Sequence, residues 1–420
     1  MKKGTLILLF SVLTSISLAQ FAITPLSSIP IASSTGEKPQ AKVWTYAGKH
    51  WCILASADGL NVWRLDGAVW AKILNLASGS SAKPDVKVVG NVAHIFVYKG
   101  TSSVLYSIEY DGATGQYKSW AQRKARVDIS LDAGVQTGTI DIDGTGKMWL
   151  ASDAKTTVNV RWSAPPYSTW SAPISIGAGV IDSDICAVVA LPGKVGLLWS
   201  NQTTKKFLFR THSDTDPPST WSVEETPGYD ASLQNIGKGL ANNFINIKAA
   251  PDGKLFCAIK TNYNTANQIQ NGLLVRQANG LWDPIYPITL NEGTTPIVLL
   301  NPTINKVKVV YTASNGNIVY KESSTSSISF GPANVLISGV YDNSTSVKGT
   351  YGSDGVVVLA SNATQAVSIL GLDNQNVSPT LTSVTIASNN ATPALAKTGD
   401  VVTLSFTASE AINPPVVNIA

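Results

Sequence analysis

The chain has 420 residues, of which 44% are hydrophobic and only 14% charged, so it can build a sizeable core and is longer than one ordinary small domain. Its net charge of +4 is spread thinly, which excludes the dense basic stripe of a nucleic-acid-binding protein. Serine, threonine, asparagine and glycine are plentiful, as is typical of exported β proteins with many turns.

Residues 1–19 have the pattern of a signal peptide. Lys2 and Lys3 precede the apolar run LILLFSVLTSISLA, and Ser17-Leu18-Ala19 supplies the small residues for cleavage before Gln20. The run is shorter than the roughly 20 apolar residues of a spanning helix, and no later segment is long and apolar enough. We therefore expect an exported protein, extracellular or attached to the cell surface, with no transmembrane segment in the mature chain.

An aromatic landmark recurs along the chain with gaps of 50, 50, 51, 61 and 48 residues. The landmarks are Trp70, Trp120, Trp170, Trp221, Trp282 and Phe330. Turn glycines and apolar runs ending in Ala-Ser keep the same spacing, so one structural unit is repeated.

Each unit reads as four short strands, because runs of β-branched and aromatic residues alternate with Gly, Asn, Pro and Ser. No segment has a sustained period of 3.6, so helices are expected to be absent or trivial. Four-stranded units of this length are typical of the blades of a β-propeller. The predicted fold class is all-β.

Six complete units run from about Lys42 to Ile337, and a seventh that begins near residue 346 lacks its last strand. Residues 21–33 resemble the outer-strand segment at 168–177, so we predict that they complete the seventh blade. Closing the ring in this way would remove exposed strand edges. The prediction is a seven-bladed propeller over residues 21–373, with six or eight blades as alternatives.

Cys52, Cys186 and Cys257 lie singly in apolar runs and are predicted to be buried and unpaired. None of them has metal-ligand spacing. The sequence predicts no metal site and no cofactor.

Two segments resemble the Asp-box, Ser-x-Asp-x-Gly-x-Thr-Trp, of sialidase-like propellers. Residues 163–170 keep its Ser, Thr and Trp, and residues 214–221 keep its Asp, Thr and Trp. The resemblance covers about residues 21–373 and implies a hairpin between the third and fourth strands of a blade, with the Trp packed between blades. The Arg-Ile-Pro motif of active sialidases is missing, which favours a non-catalytic relative.

Cationic residues recur in the predicted third strands, far from the axis on which a sialidase arginine triad converges. They are Arg64, Arg161, Arg210, Arg276 and Lys321. One interpretation is an arginine stacked on the fourth-strand tryptophan. The other is a lectin site at the rim, with Arg161 and Trp170 or Arg210 and Trp221 as ligand-binding residues.

A glycoside hydrolase would need paired carboxylates near the axis. The weak candidates are Asp85, Asp182 and Asp184, each at the entry to an inner strand. An aspartate at that place more often caps a turn.

Residues 261–272 are inserted between the second and third strands of the fifth unit. Amides and a ring suit a hydroxyl-rich ligand, and the alternative is a polar loop without a ligand. The candidate binding residues there are Asn262, Tyr263, Asn264, Asn267 and Gln268.

Residues 374–379 read as a linker, and residues 380–420 resemble the opening half of bacterial Ig-like domains. The run Thr-Gly-Asp-x-Val-x-Leu-x-Phe-x-Ala-Ser-Glu at 398–410 carries this resemblance. A complete sandwich needs about 100 residues, so we expect the domain to continue beyond residue 420 and its apolar faces to be poorly covered here.

The sequence favours a non-catalytic recognition or adhesion module, monomeric within a longer multidomain protein, that binds an extracellular glycan or a surface protein. The alternatives are a glycoside hydrolase with acids at the axis and a structural spacer without a ligand.

Overall fold

The computed structural model describes residues 21–36, 39–79, 83–234, 236–263, 265–373 and 381–408. The predicted signal peptide and linker lie outside these residues. Contacts divide the chain into a large unit, Ile23–Leu372, and a smaller unit that contains the C-terminal strands. The described helices are the four-residue helix Tyr229–Ser232 and the 3-10 turn Pro302–Ile304, in agreement with the prediction of trivial helix content.

The large unit is a propeller of seven antiparallel sheets, as predicted, and the alternatives of six and eight blades are excluded. Blade one comprises strands β2–β5, blade two β6–β10, blade three β11–β14 and blade four β15–β17. Up to blade four, the strand bounds are β1 (Phe21–Pro30), β2 (Val43–Tyr46), β3 (Lys49–Ser56), β4 (Gly59–Asp66), β5 (Val69–Ala77), β6 (Lys83–Val89), β7 (Val92–Tyr98), β8 (Ser102–Asp111), β9 (Gln116–Ser119), β10 (Val127–Ser130), β11 (Gly138–Ile142), β12 (Met148–Asp153), β13 (Thr157–Ser163), β14 (Ile174–Ala178), β15 (Cys186–Leu191), β16 (Lys194–Asn201) and β17 (Lys206–Ser213).

Blade five comprises β18–β21, blade six β22–β25 and blade seven β26–β28, with β1 beside β28 in the order of the seventh sheet. The remaining strand bounds are β18 (Ile245–Ala249), β19 (Leu255–Lys260), β20 (Ile269–Arg276), β21 (Tyr286–Leu290), β22 (Thr294–Asn301), β23 (Lys306–Thr312), β24 (Ile318–Ser324), β25 (Asn334–Ile337), β26 (Asp342–Thr345), β27 (Val356–Ser361), β28 (Gln365–Asp373), β29 (Leu381–Ser388) and β30 (Val402–Ala408).

The first strand of each blade is the innermost. These strands contact one another in succession, β2 with β6, β6 with β11, and so on to β22 with β26. Polar side chains on them hold neighbouring blades together: Asp141 accepts the amide hydrogen of Ala190 at 2.8 Å, and Asn246 accepts that of Val298 at 3.0 Å.

The N-terminal strand β1 contacts blade one as well as β28. The amide of Ser27 donates to the carbonyl of Ala68 at 2.8 Å, and the Ser27 hydroxyl accepts the amide hydrogen of Trp70 at 2.9 Å. Phe21 and Ile29 are both buried.

Three blades depart from the predicted pattern. Blade two carries an additional strand, β9, and blade four has three strands, with a single bridge between Phe209 and Glu225 in place of the fourth. In blade five the predicted insertion lies between β19 and β20, but residues 226–244, which connect blades four and five and include the short helix, contribute additional length.

The recurring tryptophans pack between blades, as predicted. Trp221 meets Trp149 of blade three edge to face at 5.7 Å, and Trp282 meets Phe209 of blade four at 5.4 Å. Such contacts stabilise a stack of blades that cannot bury both faces alone.

The three cysteines are free and buried in strands, which confirms that prediction.

In the smaller unit, β29 and β30 form an antiparallel pair. Val384 and Ile386 on β29 are 56% and 65% exposed, which agrees with the expectation of poorly covered apolar faces.

Candidate functional site

The recurring third-strand cations pair mainly with acceptors from other segments. Arg161 lies 3.0 Å from Asp132, Arg276 lies 2.7 Å from Glu225, and the Lys321 ammonium donates to the Ile288 carbonyl at 2.7 Å. Each of these contacts joins a third strand to the outer segment of the preceding blade. The cations therefore link blades at the rim.

Arg64 and Arg276 each contact an aromatic ring, but neither ring is that of a fourth-strand tryptophan. The predicted stacking is therefore wrong for these two arginines. The Arg64 guanidinium lies 5.9 Å from the Trp51 ring of its own second strand, and that of Arg276 lies 5.3 Å from Phe209 of the preceding blade. The difference arises because the side chains extend toward carboxylates, with Arg64 bonded to Asp66 at 2.8 Å.

Between blades four and five the arginine and the tryptophan converge on one carboxylate. Arg276 donates through Nε and Nη2 to Glu225 at 2.8 and 2.7 Å, and Trp282 Nε1 donates to the same group at 2.7 Å. A bidentate guanidinium–carboxylate pair is among the stronger protein hydrogen-bonding arrangements. This rim site is closed, because the protein supplies the acceptor for both donors.

Between blades two and three an arginine and a tryptophan again lie close together, but no carboxylate accepts hydrogen bonds from both of them. Arg161 Nη2 and Asn159 Nδ2 both donate to Asp132 Oδ2, at 3.0 and 2.9 Å. Arg161 Nη1 and Trp170 Nε1 have no hydrogen-bond partner, although both atoms are shielded from solvent. Buried polar groups are nearly always paired, so two orphaned donors in neighbouring side chains require an explanation.

Arg161 and Trp170 line an open cleft of about 480 Å³ at the rim. Residues 128–132, which end blade two, form one wall, and Ser168, Ser171 and Pro173 contribute to the other. The ring of Trp170 packs on the hydrophobic cluster between these two blades. The predicted pair of Arg161 and Trp170 is thus brought together at a cavity.

Asp132 is held in its charged form at this cleft. Burial works to raise its pKa, but hydrogen bonds from Asn159 and Arg161 and the charge of Arg161 outweigh that effect, so the pKa lies below the usual value. Asp132 was missed by the sequence reasoning, because it stands in a connection between blades rather than in the repeat.

Arg210 and Trp221 do not form an equivalent pair of free donors. Trp221 packs against Trp149 and His212, and its indole nitrogen donates to the Pro218 carbonyl at 3.1 Å. Arg210 Nε is buried without a partner.

The loop predicted to bind a ligand uses much of its polar chemistry internally. Tyr263 is 5% exposed, and its hydroxyl donates to the Ala231 carbonyl at 2.7 Å, so the prediction of an accessible ring is wrong. The aromatic ring is instead needed to fill the hydrophobic cluster between blades four and five.

The amide of Asn262 donates to Gln202 and to the Ala241 carbonyl, at 3.0 and 2.7 Å. Asn267 is exposed, with its backbone amide bonded to Asn291, and the carbonyl of the half-buried Gln268 accepts from the Asn291 amide. Asn264 lies outside the described residues.

The candidate catalytic aspartates do not form a pair. Asp85 is fully buried and accepts hydrogen bonds from the Ala41 and Ile140 amides, at 2.8 Å each, and from Lys348 at 2.7 Å. Asp184 caps its own turn, accepting from the Ile181 amide at 2.9 Å. Asp182 is exposed in that turn. Capping and inter-blade bonding account for these groups.

The axis carries charges that the sequence reasoning missed. Asp141 lies 2.5 Å from Lys87, and Lys248 donates to the Val347 carbonyl across the ring. Burial works to raise the pKa of Asp141, but the charges of Lys87 and Lys348 outweigh it and lower the pKa. A carboxylate with a lowered pKa is a poor general acid.

Among the described residues, no three His, Cys, Asp or Glu side chains are grouped so as to hold a metal ion. The same part of the chain contains no helix with the length and apolarity needed to cross a membrane.

No protein-family model matches this chain, and no curated protein sequence does. A lectin from Burkholderia pseudomallei has a similar structure, with a TM-score of 0.59 and 13% identity over 81% of this chain and 97% of the lectin. The WD40 domain of coronin from Toxoplasma gondii gives a TM-score of 0.54 and 9% identity over 85% and 88% of the two chains.

The sialidase of Trypanosoma rangeli gives a TM-score of 0.44 and 12% identity, and the match covers 83% of this chain and 59% of the sialidase. At these identities, the similarities to the lectin and the coronin domain show the propeller fold, and function has to be argued from the site.

Proposed function

We propose that this protein is a non-catalytic recognition module that binds carbohydrate in the rim cleft between blades two and three. One observation carries the proposal. Arg161 Nη1 and Trp170 Nε1 are left without an acceptor beside an open cleft, whereas Arg276 and Trp282 share Glu225 in the closed site two blades away. Both atoms are shielded from solvent, so a ligand oxygen supplies the missing acceptor once the side chains that line the cleft shift to admit it.

The groups around the cleft suit adjacent hydroxyls of a sugar. One hydroxyl oxygen would accept from Arg161 Nη1, and its neighbour would donate to the charged Asp132 carboxylate. The indole of Trp170 offers an apolar surface to the ring. A small number of polar groups on an apolar wall is the usual composition of a small-molecule site. The structural similarity to a lectin supports this assignment.

The test is a glycan array followed by calorimetry with the best glycan. We expect Trp170→Phe, which keeps the packing but removes the indole N–H, and Arg161→Gln to weaken binding at least about tenfold, since each removes a charged or buried hydrogen bond. Arg64→Gln is the matched control, because Arg64 occupies a third strand but bonds to Asp66 of its own hairpin.

Equal affinity of the wild-type protein and both cleft variants would disprove the site. Turnover of a glycoside substrate would favour the hydrolase instead, and binding to no glycan would leave a protein ligand or a spacer.

We further propose that the protein is exported after cleavage before Gln20, that the hairpins at 163–170 and 214–221 are eroded Asp-boxes, and that residues 380–420 begin an Ig-like domain. The N-terminal residue of protein recovered from the medium or the cell surface tests the first point. A chain that retains Met1 there would contradict it.

We also propose that β1 completes blade seven and closes the ring. Its hydrogen bonds to blade one and its place beside β28 support this role.

A further inference from the structure

A second cavity lies at the mouth of the propeller axis, away from the rim cleft. It measures about 480 Å³ and is lined by the inner strands of blades one and two and by the β22–β23 and β26–β27 connections. Lys87 and Lys348 contribute to its wall, together with Thr303, Thr350 and Tyr351.

The charge beneath this mouth is predominantly positive. Lys87 and Lys348 pair with Asp141 and Asp85, at 2.5 and 2.7 Å. Lys248, which is 3% exposed, adds a third ammonium whose hydrogen bond goes to a neutral acceptor, the carbonyl of the mouth residue Val347. Three lysines thus face two carboxylates.

The position of Lys248 is costly for the protein. Burial, with a smaller effect from the charge of Lys348, lowers its pKa to about 7, and the charges of Asp85 and Asp141 only partly oppose this decrease. The Lys248 side chain hydrogen-bonds a carbonyl, a contact that does not require a charge. A leucine, a methionine or a glutamine at this position would avoid the free-energy cost of burying an ammonium group. A buried cation is retained cheaply when an anion can compensate it.

We propose that the axial mouth binds an oxyanion, a sulfate or phosphate group, held by Lys87 and Lys348 at the surface with Lys248 beneath. Threonine and tyrosine hydroxyls of the wall can donate to its remaining oxygens. The cavity is larger than an inorganic ion, so the group can belong to a glycan or arrive as the free ion.

The experiment is calorimetry of the full chain at constant ionic strength, with inorganic sulfate, inorganic phosphate, a sulfated oligosaccharide and its unsulfated counterpart. Heats of binding are preferable to melting temperatures, because sulfate stabilises folded proteins without a site. We expect saturable binding of the free ions or of the sulfated sugar, and no axial binding of the unsulfated one.

Lys348→Gln and Lys87→Gln should each weaken that binding at least about tenfold, as expected for loss of a charged hydrogen bond. Lys155→Gln removes the same charge from an exposed position and should leave the affinity unchanged. If Lys348→Gln impairs folding, Lys87→Gln becomes the variant that tests the site. We expect Lys87→Gln to fold, because the Asp141 carboxylate still accepts hydrogen bonds from the Ala190 and Ile142 amides.

Binding of the sulfated sugar alone, lost in the lysine variants, would identify a glycan as the source of the anion. Binding that persists undiminished in both variants, or no binding by any of the anions, would overturn the proposal. Trp170→Phe leaves the axis intact, so failure of the rim site and failure of the axial site are distinguishable.

Discussion

At the scale of single residues, the most informative group outside both sites is Asp153. It is fully buried at the end of β12, where Oδ2 accepts the Gln136 amide hydrogen at 3.2 Å and Oδ1 has no hydrogen-bond partner. Desolvation therefore raises its pKa to about 7. The native protein keeps this proton where the unfolded chain has already released it.

This difference predicts a pH dependence of stability. Between about pH 4 and pH 7 the unfolded chain is ionised at Asp153 and the native state is not, so stability falls as pH rises, by at most about 1.4 kcal/mol per unit. Asp153→Asn should flatten the free energy of unfolding over this window and stabilise the protein at pH 7.5. Urea unfolding at pH 5 and 7.5 measures the effect, with the exposed Asp182→Asn as control. An unchanged slope in Asp153→Asn would contradict the assignment.

At the scale of elements, side chains on the innermost strands bond the backbone of the next blade. Asn246 of β18 is an example, because it accepts the Val298 amide hydrogen of β22 at 3.0 Å. Asn246→Ala leaves that buried amide without an acceptor and should lower the free energy of unfolding by about 1–3 kcal/mol.

Chemical denaturation of Asn246→Ala beside Asn91→Ala, an exposed turn position, measures the difference. Equal stability of the two variants would mean that the bond between blades contributes nothing.

These inner-strand contacts were not predictable from the repeat. In the innermost strands polar residues alternate with apolar ones, as in a strand with one face in solvent. Examples are Asp85 and Lys87 in β6, and Asn246 and Lys248 in β18. At a narrow axis, that polar face is buried against the neighbouring inner strands instead of meeting water. Asp85 was therefore interpreted as a cap or a catalytic acid, whereas it bonds amides on either side of its strand.

At the scale of the whole molecule, the blade number and the rim position of Arg161 and Trp170 follow from sequence spacing alone. The presence of the rim cleft between blades two and three does not follow from the spacing. Its carboxylate, Asp132, stands in a connection of irregular length, and whether Arg161 and Trp170 keep an acceptor depends on which side chain the preceding blade supplies. Within the insertion at 261–272, the burial of Tyr263 was unpredictable for a related reason, because the ring fills a gap in the core beside the long connection between blades four and five.

Closure of the ring is the remaining property of the whole molecule, and the proposed role of β1 makes it testable. A chain that begins at Ala32 would lack the buried Phe21 and Ile29 and would expose the edge of β28. Burial of each such side chain is worth about 1.5–3 kcal/mol, so we expect a loss of several kcal/mol in unfolding free energy. Exposed edges also promote association between chains.

Size-exclusion chromatography and urea unfolding of this truncated chain measure both effects. The control is a chain that ends at Asp373, which removes residues 374–420 and should leave the propeller transition unchanged. A peptide of residues 21–31 added in trans should restore stability, because a free sheet edge accepts a matching strand. A truncated chain that is monomeric and as stable as the control would show that the other six blades and the three strands β26–β28 close the ring without it.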